Sequence, residues 1–255
     1  MLQSLVRDRA GQAAALEVSI AQSEREVIEA QRLRYQVFAG EMGASLKSAD
    51  SGLDCDAYDA HCEHLIVRDT ASGEVVGTYR MLDPTAAHHA GGYYSEEEFD
   101  LARLHHLRSQ IVEIGRSCVH PSYRSGSTIA LLWAGVLRHV QSRGYQYIIG
   151  CASIGMADGG QQAAAIYRRL EQTSLAPAEY RAFPRCALPL DAYAGTPATL
   201  TLPPLIKGYL RVGAQVCGAP AWDPDFNTAD LLMMLPVARM APRYPRHLLR
   251  ARARQ

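Results

Sequence analysis

Between residues 111 and 126 the chain reads IVEIGRSCVHPSYRSG. A run of β-type residues carries a carboxylate, Glu113, and a guanidinium, Arg116, before Pro121 ends it. A Tyr-Arg-Ser-Gly turn follows at residues 123–126, and helical spacing then runs from Ser127 to Arg143. The first N–H groups of a helix lack partners within it and sit at the positive end of its dipole. Strand, turn and helix start together therefore make a place for phosphate. An ionisable strand beside such a cradle is expected to transfer a group delivered on a phosphopantetheine-type carrier.

The elements that must position these residues follow from periodicity and punctuation. Leu16–Ala21 alternates like a strand, and Ser23 with Glu26 forms a capping box for a helix carrying Ile28, Leu33, Tyr35, Val37 and Phe38. That helix fades at Gly40–Gly43, and the acidic stretch Lys47–Ala60 has no period and reads as a loop. Strands Glu63–Asp69 and Val75–Leu82 are joined through Ala71-Ser72-Gly73, a hairpin signal. A second capping box, Ser95 with Glu98, predicts a helix to about Leu107, ahead of the strand Ile111–His120. Beyond Gly144 the pattern predicts a buried strand Tyr145–Ile154 and a helix Gln161–Gln172. A strand at Tyr180–Leu188, a Pro/Gly-rich link, a helix Leu205–Gly213 and a strand Asp230–Leu235 complete the pattern. The expected class is α/β (α+β): a mixed, largely antiparallel sheet flanked by helices, in one domain over residues 1–238 with a tail at 239–255.

Composition narrows the functions. The 255 residues are 48% hydrophobic and 20% charged, as in an ordinary globular protein, and the zero net charge gives no argument for nucleic acid. No acidic residue follows Asp230, while Arg239, Arg243, Arg246, Arg250, Arg252 and Arg254 accumulate. That tail suits peripheral contact with an anionic membrane surface, or is simply a frayed basic terminus. Six cysteines (55, 62, 118, 151, 186 and 217) form no C-x-x-C pair, and Cys118 and Cys151 fall in apolar strand patterns that suit buried thiols. Cys55 and Cys62 near His61 and His64 raise zinc, but the surrounding acids and the lack of a second Cys pair argue against it, so no metal is expected. Met1–Ala15 lacks the apolar core of a signal peptide, and the longest apolar stretch, Thr128–Leu137, is far short of the ~20 residues of a membrane span. A cytoplasmic protein with reduced thiols is expected, with the tail against the inner face of the membrane.

The segment VHPSYRSG resembles the carrier-binding turn of the GNAT superfamily of acyltransferases. The glycine-rich signature is incomplete, with Gly126 alone and Ser125, Ser127 and Thr128 in place of the rest. It is similar instead to the branch using acyl-carrier protein, the acyl-homoserine-lactone synthases and the ornithine-lipid N-acyltransferases. Arg34-Tyr35-Gln36-Val37-Phe38 is similar to the first helix of the lactone synthases, and Asp54-Cys55-Asp56-Ala57-Tyr58-Asp59 to their acidic loop. Arg80 in GTYRML and the Glu113…Arg116 pair also match. The strings YYSEEEFDL, EIGRSCVHPSYRSG, LPPLIKGYLRVGA and PAWDPDFNTADLLMML resemble the bacterial ornithine N-acyltransferases, and the last two are not a lactone-synthase feature.

The resemblance implies attack of an α-amine on an acyl-carrier thioester, with no cofactor beyond the carrier's phosphopantetheine and with ornithine as the amine. An ammonium cannot attack until it loses a proton, so a base is needed, and Glu113 is the candidate. Its other reading is a strand carboxylate paired to Arg116 or Arg80. Glu113 and Arg116 are three apart and would face opposite ways on a regular strand, so joint action requires a β-bulge, which the GNAT fold has here. Backbone N–H groups of Cys118, Val119 and His120 are implied to pair with the pantetheine arm, and Arg124, Ser125, Gly126 and Ser127 to take its phosphate. Asp56 and Asp59 are implied to bind the cationic amine, Arg34 or Arg80 the substrate carboxylate, and Phe38 to line the substrate site. Another amine (glycine, glutamine, lysine or S-adenosylmethionine) and a non-catalytic carrier or lipid-binding module are the alternatives.

Overall fold

The structure is a computed structural model that describes residues 2–7, 13–46, 48–124, 126–193 and 200–240. In chain order it contains β1 (Leu2–Arg7), β2 (Ala13–Ile20), α1 (Glu24–Tyr35), β3 (Glu63–Asp69), β4 (Val75–Leu82), α2 (Pro84–His89), α3 (Ser95–Glu98), β5 (Phe99–Asp100) and β6 (Ile111–Val119). Then come α4 (Ser127–Ser142), β7 (Tyr147–Gly155), α5 (Gln161–Thr173), β8 (Phe183–Pro184), α6 (Pro204–Val212), β9 (Gln215–Val216), β10 (Ala221–Asp223), β11 (Thr228–Pro236) and α7 (Val237–Met240). This is the mixed, mostly antiparallel sheet with flanking helices that the sequence predicts. No described helix is long and apolar enough to cross a membrane. The chain divides into two compact units, and β6 contributes to both.

Of the described residues, the first unit comprises those within 2–82 and 114–144. Its strands β1 to β4 pair antiparallel in sequence order, with the C-terminal part of β6 next to β4. Helix α4 lies against this sheet because two glycines let it approach. A Cβ at Gly135 would stand 2.8 Å from Leu65 Cδ1, and one at Gly77 would stand 2.8 Å from Thr128 Cγ2. The capping box at the start of α1 forms with a shift: Ser23 Oγ accepts from the Glu26 N–H (3.3 Å), while Glu26 accepts from Gln22 N–H (2.7 Å). After Tyr35 the helix widens into a π-helical turn, Gln36–Glu41, an irregularity often found at functional sites.

Of the described residues, the second unit comprises 83–113, 145–193 and 200–240. Its centre is β11, antiparallel to β7 over Thr228–Pro236 and to β10 and β9. Burial on both faces explains the unbroken apolar run LLMML in that strand. β6 pairs with β7 in parallel for three rungs only, from Ile111↔Tyr147 to Glu113↔Ile149.

Three sequence expectations change here. The helix expected from Ser95 to Leu107 ends at Glu98, and a 3-10 segment, Ala102–Gln110, follows it. Ser95 does not cap this helix, because its N–H and hydroxyl are both engaged by Glu113. The strand expected at Tyr180–Leu188 is only the two residues of β8, and β1, β9 and β10 are additional.

Candidate active site

In the first unit three arginines and three aspartates interlock. Arg34, on α1 and fully buried, donates through Nε to Asp54 Oδ2 (2.8 Å) and through Nη2 to both oxygens of Asp59 (2.8 and 3.0 Å). The same Nη2 also donates to the Asp54 carbonyl. Arg80, 4% exposed on β4, donates to Asp56 Oδ1 (2.6 Å) and Asp59 Oδ2 (3.4 Å). Arg116 on β6 donates to Asp56 Oδ2 (3.1 Å), and its Nε lies 3.3 Å from Asp54 Oδ2. The six side chains sum to zero charge.

Burial alone would raise Asp56, but Arg80 and Arg116 outweigh it and hold this carboxyl below its usual range. His64, beside them on β3, is pushed down by burial and stays neutral. Its Nε2–H donates to the Asp59 carbonyl (3.0 Å). The acidic loop thus supplies its aspartates to an ionic lattice, tied to α1 also through Asp54 N–H to the Gln31 carbonyl (3.1 Å). Asp56 and Asp59, expected to receive a cationic amine, are instead neutralised by arginines. Arg34 and Arg80, expected to receive a carboxylate, are enclosed by aspartates. Phe38 is buried on the π-helical turn. Asp54 and His64 complete the lattice, a role the sequence did not assign them: His64 entered only in weighing zinc. For Asp54, the quoted acidic motif was the available signal.

On β6 the backbone turns into the left-handed region at Arg116, φ 50°, a departure from regular alternation of the kind joint action requires. Glu113, 4% exposed, sits at the last rung of the β6–β7 ladder. Its carboxylate accepts from the N–H of Tyr94 (2.6 Å), the N–H of Ser95 (2.8 Å) and the Ser95 hydroxyl. These donors belong to the second unit, whereas Arg116 is bound to the aspartates of the first. Tyr94 and Ser95 therefore position Glu113, and only the quoted string YYSEEEFDL hinted at them.

The expected carrier turn divides into committed and accessible groups. The His120 N–H donates to the Val76 carbonyl (2.9 Å), so it serves the sheet and not a pantetheine arm. Cys118 is buried, with its thiol pushed up to about 12 by burial. The Val119 carbonyl accepts from Arg124 Nε (3.0 Å). Arg124 is exposed and pairs with Glu41 at 3.0 Å. Exposed pairs contribute little, so a phosphate can displace Glu41. Gly126, left-handed at φ 93°, precedes α4, and no side chain caps that helix, whose first residue Ser127 is half-buried. Ser125 lies outside the described residues.

The second unit also holds three carboxylates with no paired base among the described residues. Ligand atoms of Glu98, Asp223 and Asp230 lie within 4.8 Å of one another. These residues were not singled out as a group from sequence, because α3 is far in the chain from the β10–β11 hairpin.

Comparison with known proteins places this arrangement in a family. An acetyltransferase (GNAT) domain model matches residues 33–134, from α1 into α4. By fold, the chain is similar to FeeM, an N-acyl amino acid synthase from uncultured soil microbes (TM-score 0.53, 12% identity, 89% of this chain and 94% of that one). It is similar also to the acyl-homoserine-lactone synthase LasI (TM-score 0.50, 12% identity, 91% and 98%). Sequence similarity is much higher to the L-ornithine N(alpha)-acyltransferase of Agrobacterium fabrum, 38% identical over 92% of this chain and 85% of that one. The enzyme of the same name from Brucella abortus is 34% identical over 92% and 89%. This chain belongs to the L-ornithine N(alpha)-acyltransferase family of GNAT-fold acyltransferases.

Proposed function

We propose that this enzyme moves a 3-hydroxyacyl chain from the phosphopantetheine thioester of an acyl-carrier protein to the α-amine of L-ornithine, giving a lyso-ornithine lipid. The observation that carries this reading is the 32–38% identity to four L-ornithine N(alpha)-acyltransferases along nearly the whole chain. A carrier protein as donor is supported by the single glycine at the turn and by the start of α4, where the exposed Gly126 takes the cap position beside Arg124.

In the chemical step the α-ammonium gives one proton to Glu113, and the freed amine attacks the thioester carbonyl carbon. The tetrahedral intermediate collapses, the C–S bond breaks, and the amine's second proton leaves with the pantetheine sulfur as thiol. Glu113 suits the base because two backbone N–H groups and a hydroxyl fix its position. The Arg–Asp lattice shapes the first unit and keeps the Arg116 turn in place. The product is an amphiphile, and the basic tail, largely in residues 241–255 outside the described set, suits its hand-over to an anionic membrane surface from the cytoplasmic side.

Purified protein incubated with 3-hydroxyacyl carrier protein and L-ornithine is expected to yield N-acylornithine by mass spectrometry. Absence of any N-acyl amino acid, beside a working control enzyme, would overturn the reading. A panel of glycine, glutamine, lysine and S-adenosylmethionine ranks the amines, and acyl-carrier protein that stays acylated with every amine would mark a binding module. Glu113→Gln is expected to lower kcat by roughly a hundredfold to ten-thousandfold, the range for losing a general base. Wild-type turnover in that variant would remove Glu113 from the mechanism.

A further inference from the structure

The lattice of the first unit leaves no uncompensated negative charge for the second amine of a basic amino acid, yet the second unit holds an acidic cluster without a counter-ion among the described residues. Glu98 ends α3, Asp223 ends β10 and Asp230 lies on β11, opposite Ala221. Asp223 Oδ1 accepts from the N–H groups of Asp225 (2.9 Å) and Phe226 (3.1 Å), which fixes its carboxylate. Both Glu98 oxygens and Asp230 Oδ1 are buried without a hydrogen-bond donor. Asp230 is 4% exposed. A buried hydroxyl stands in the same place: Thr228, 3% exposed, faces the Asp230 carboxylate without a well-formed hydrogen bond, and the Ser153 hydroxyl faces it as well. Two residues from Asp230 on the same strand, Thr228 shares that face. Acceptors facing one another with no donor between them are unfavourable unless a proton or a cation joins them.

We infer that Glu98, Asp223 and Asp230, with the Thr228 hydroxyl, receive the side-chain ammonium of the amino-acid substrate and so set the preference for a basic amino acid. An ammonium offers three donors, and the cluster offers a carboxylate for each. Asp223 is half-buried, so the cluster reaches solvent at that residue. The charge of Glu113, the proposed base for the α-amine, reaches Glu98 and helps raise it, so both ends of a short diamino acid have acceptors in one unit. Burial first, and then the neighbouring carboxylates, push Glu98 up to about 9, and burial pushes Asp230 to about 6 against the opposing hydroxyls of Ser153 and Thr228, so a proton occupies the empty cluster where the cation would sit. Glu98 belongs to the string YYSEEEFDL, and Asp223 and Asp230 to PAWDPDFNTADLLMML.

The inference rests on the proposed transfer to a basic amino acid, and its test separates the two. L-Norvaline has the carbon skeleton of ornithine without the side-chain amine. In Asp223→Asn and Glu98→Gln, kcat/KM for L-ornithine is expected to fall on the order of a hundredfold, as for loss of a charged hydrogen bond, while that for L-norvaline stays put. An unchanged ornithine-to-norvaline ratio in both folded variants overturns the inference and leaves acyl transfer standing. Calorimetric titration with 1,4-diaminobutane needs no turnover. Binding to wild type that is lost in Asp223→Asn supports the cluster even if no amine is acylated, and equal binding, or none to wild type, overturns it. Stabilisation by calcium or magnesium chloride in place of the diamine would make it a metal site and also overturn it.

Discussion

The two acidic clusters contain the same kind of residue in opposite electrostatic circumstances. Asp54, Asp56 and Asp59 each meet an arginine and form a finished internal structure. Glu98, Asp223 and Asp230 meet no base among the described residues, and Glu98 and Asp230 keep oxygens without a donor. An acid that already has its counter-ion shapes the fold. An acid buried without one is held ready for a ligand, because burying it unpaired lowers stability.

The largest effect should come from breaking the balanced cluster. Arg34→Met leaves Asp54 and Asp59 buried without their main partner and is expected to cost about 3–5 kcal/mol, read as a lower urea midpoint. A loss below about 1 kcal/mol would mean that the lattice is not structural in the way described. The other cluster should respond with the opposite sign. Glu98→Gln removes a carboxyl that must take up a proton on folding at neutral pH and is expected to stabilise the ligand-free protein by roughly 1 kcal/mol, a rise of a few degrees in Tm.

The pH dependence should separate the clusters as well. Glu98 and Asp230 have folded values raised above 4.5 and 3.8, so their contribution is complete below those values. It is lost as pH rises through about 6 for Asp230 and about 9 for Glu98. Asp56 is depressed below 3.8, so its contribution is present above that value and is lost as pH falls through its folded value. His64, depressed below 6.5, likewise costs stability as pH falls below that value, because only the unfolded chain takes up its proton readily. Urea midpoints across pH should therefore fall at both ends, and Glu98→Gln should flatten the alkaline side alone. The smallest effect is at the carrier turn. Arg124→Ala should leave stability within about 0.5 kcal/mol, since its partner Glu41 is exposed, while raising the KM for acyl-carrier protein.

What the sequence allowed to be read depends on whether the determinant is local. The strands β3, β4, β6 and β7 and helices α4, α5 and α6 follow from periodicity with Gly and Pro at their ends, and they lie close to the predicted positions. The Ser95 helix fails because its side chain answers a residue 18 positions away, Glu113, and not its own first turn. β9 and β10, at two and three residues, are too short to show a period. At the site, Arg116, Asp56 and Asp59 were found by motif, but a motif does not show that arginines cancel the aspartates. Nor does it show that Glu98, Asp223 and Asp230 converge, since that depends on how α3, β10 and β11 fold together.

Gly77 faces Thr128, in the first turn of α4, at a distance where a methyl group would collide. The amides proposed to hold the carrier's phosphate thus depend on a missing carbon atom on a neighbouring strand. An alanine at position 77 would act as a wedge, tilting that turn away from β4 while leaving every acid and arginine untouched. Donor affinity and amino-acid affinity are then separable by a change that alters no charge.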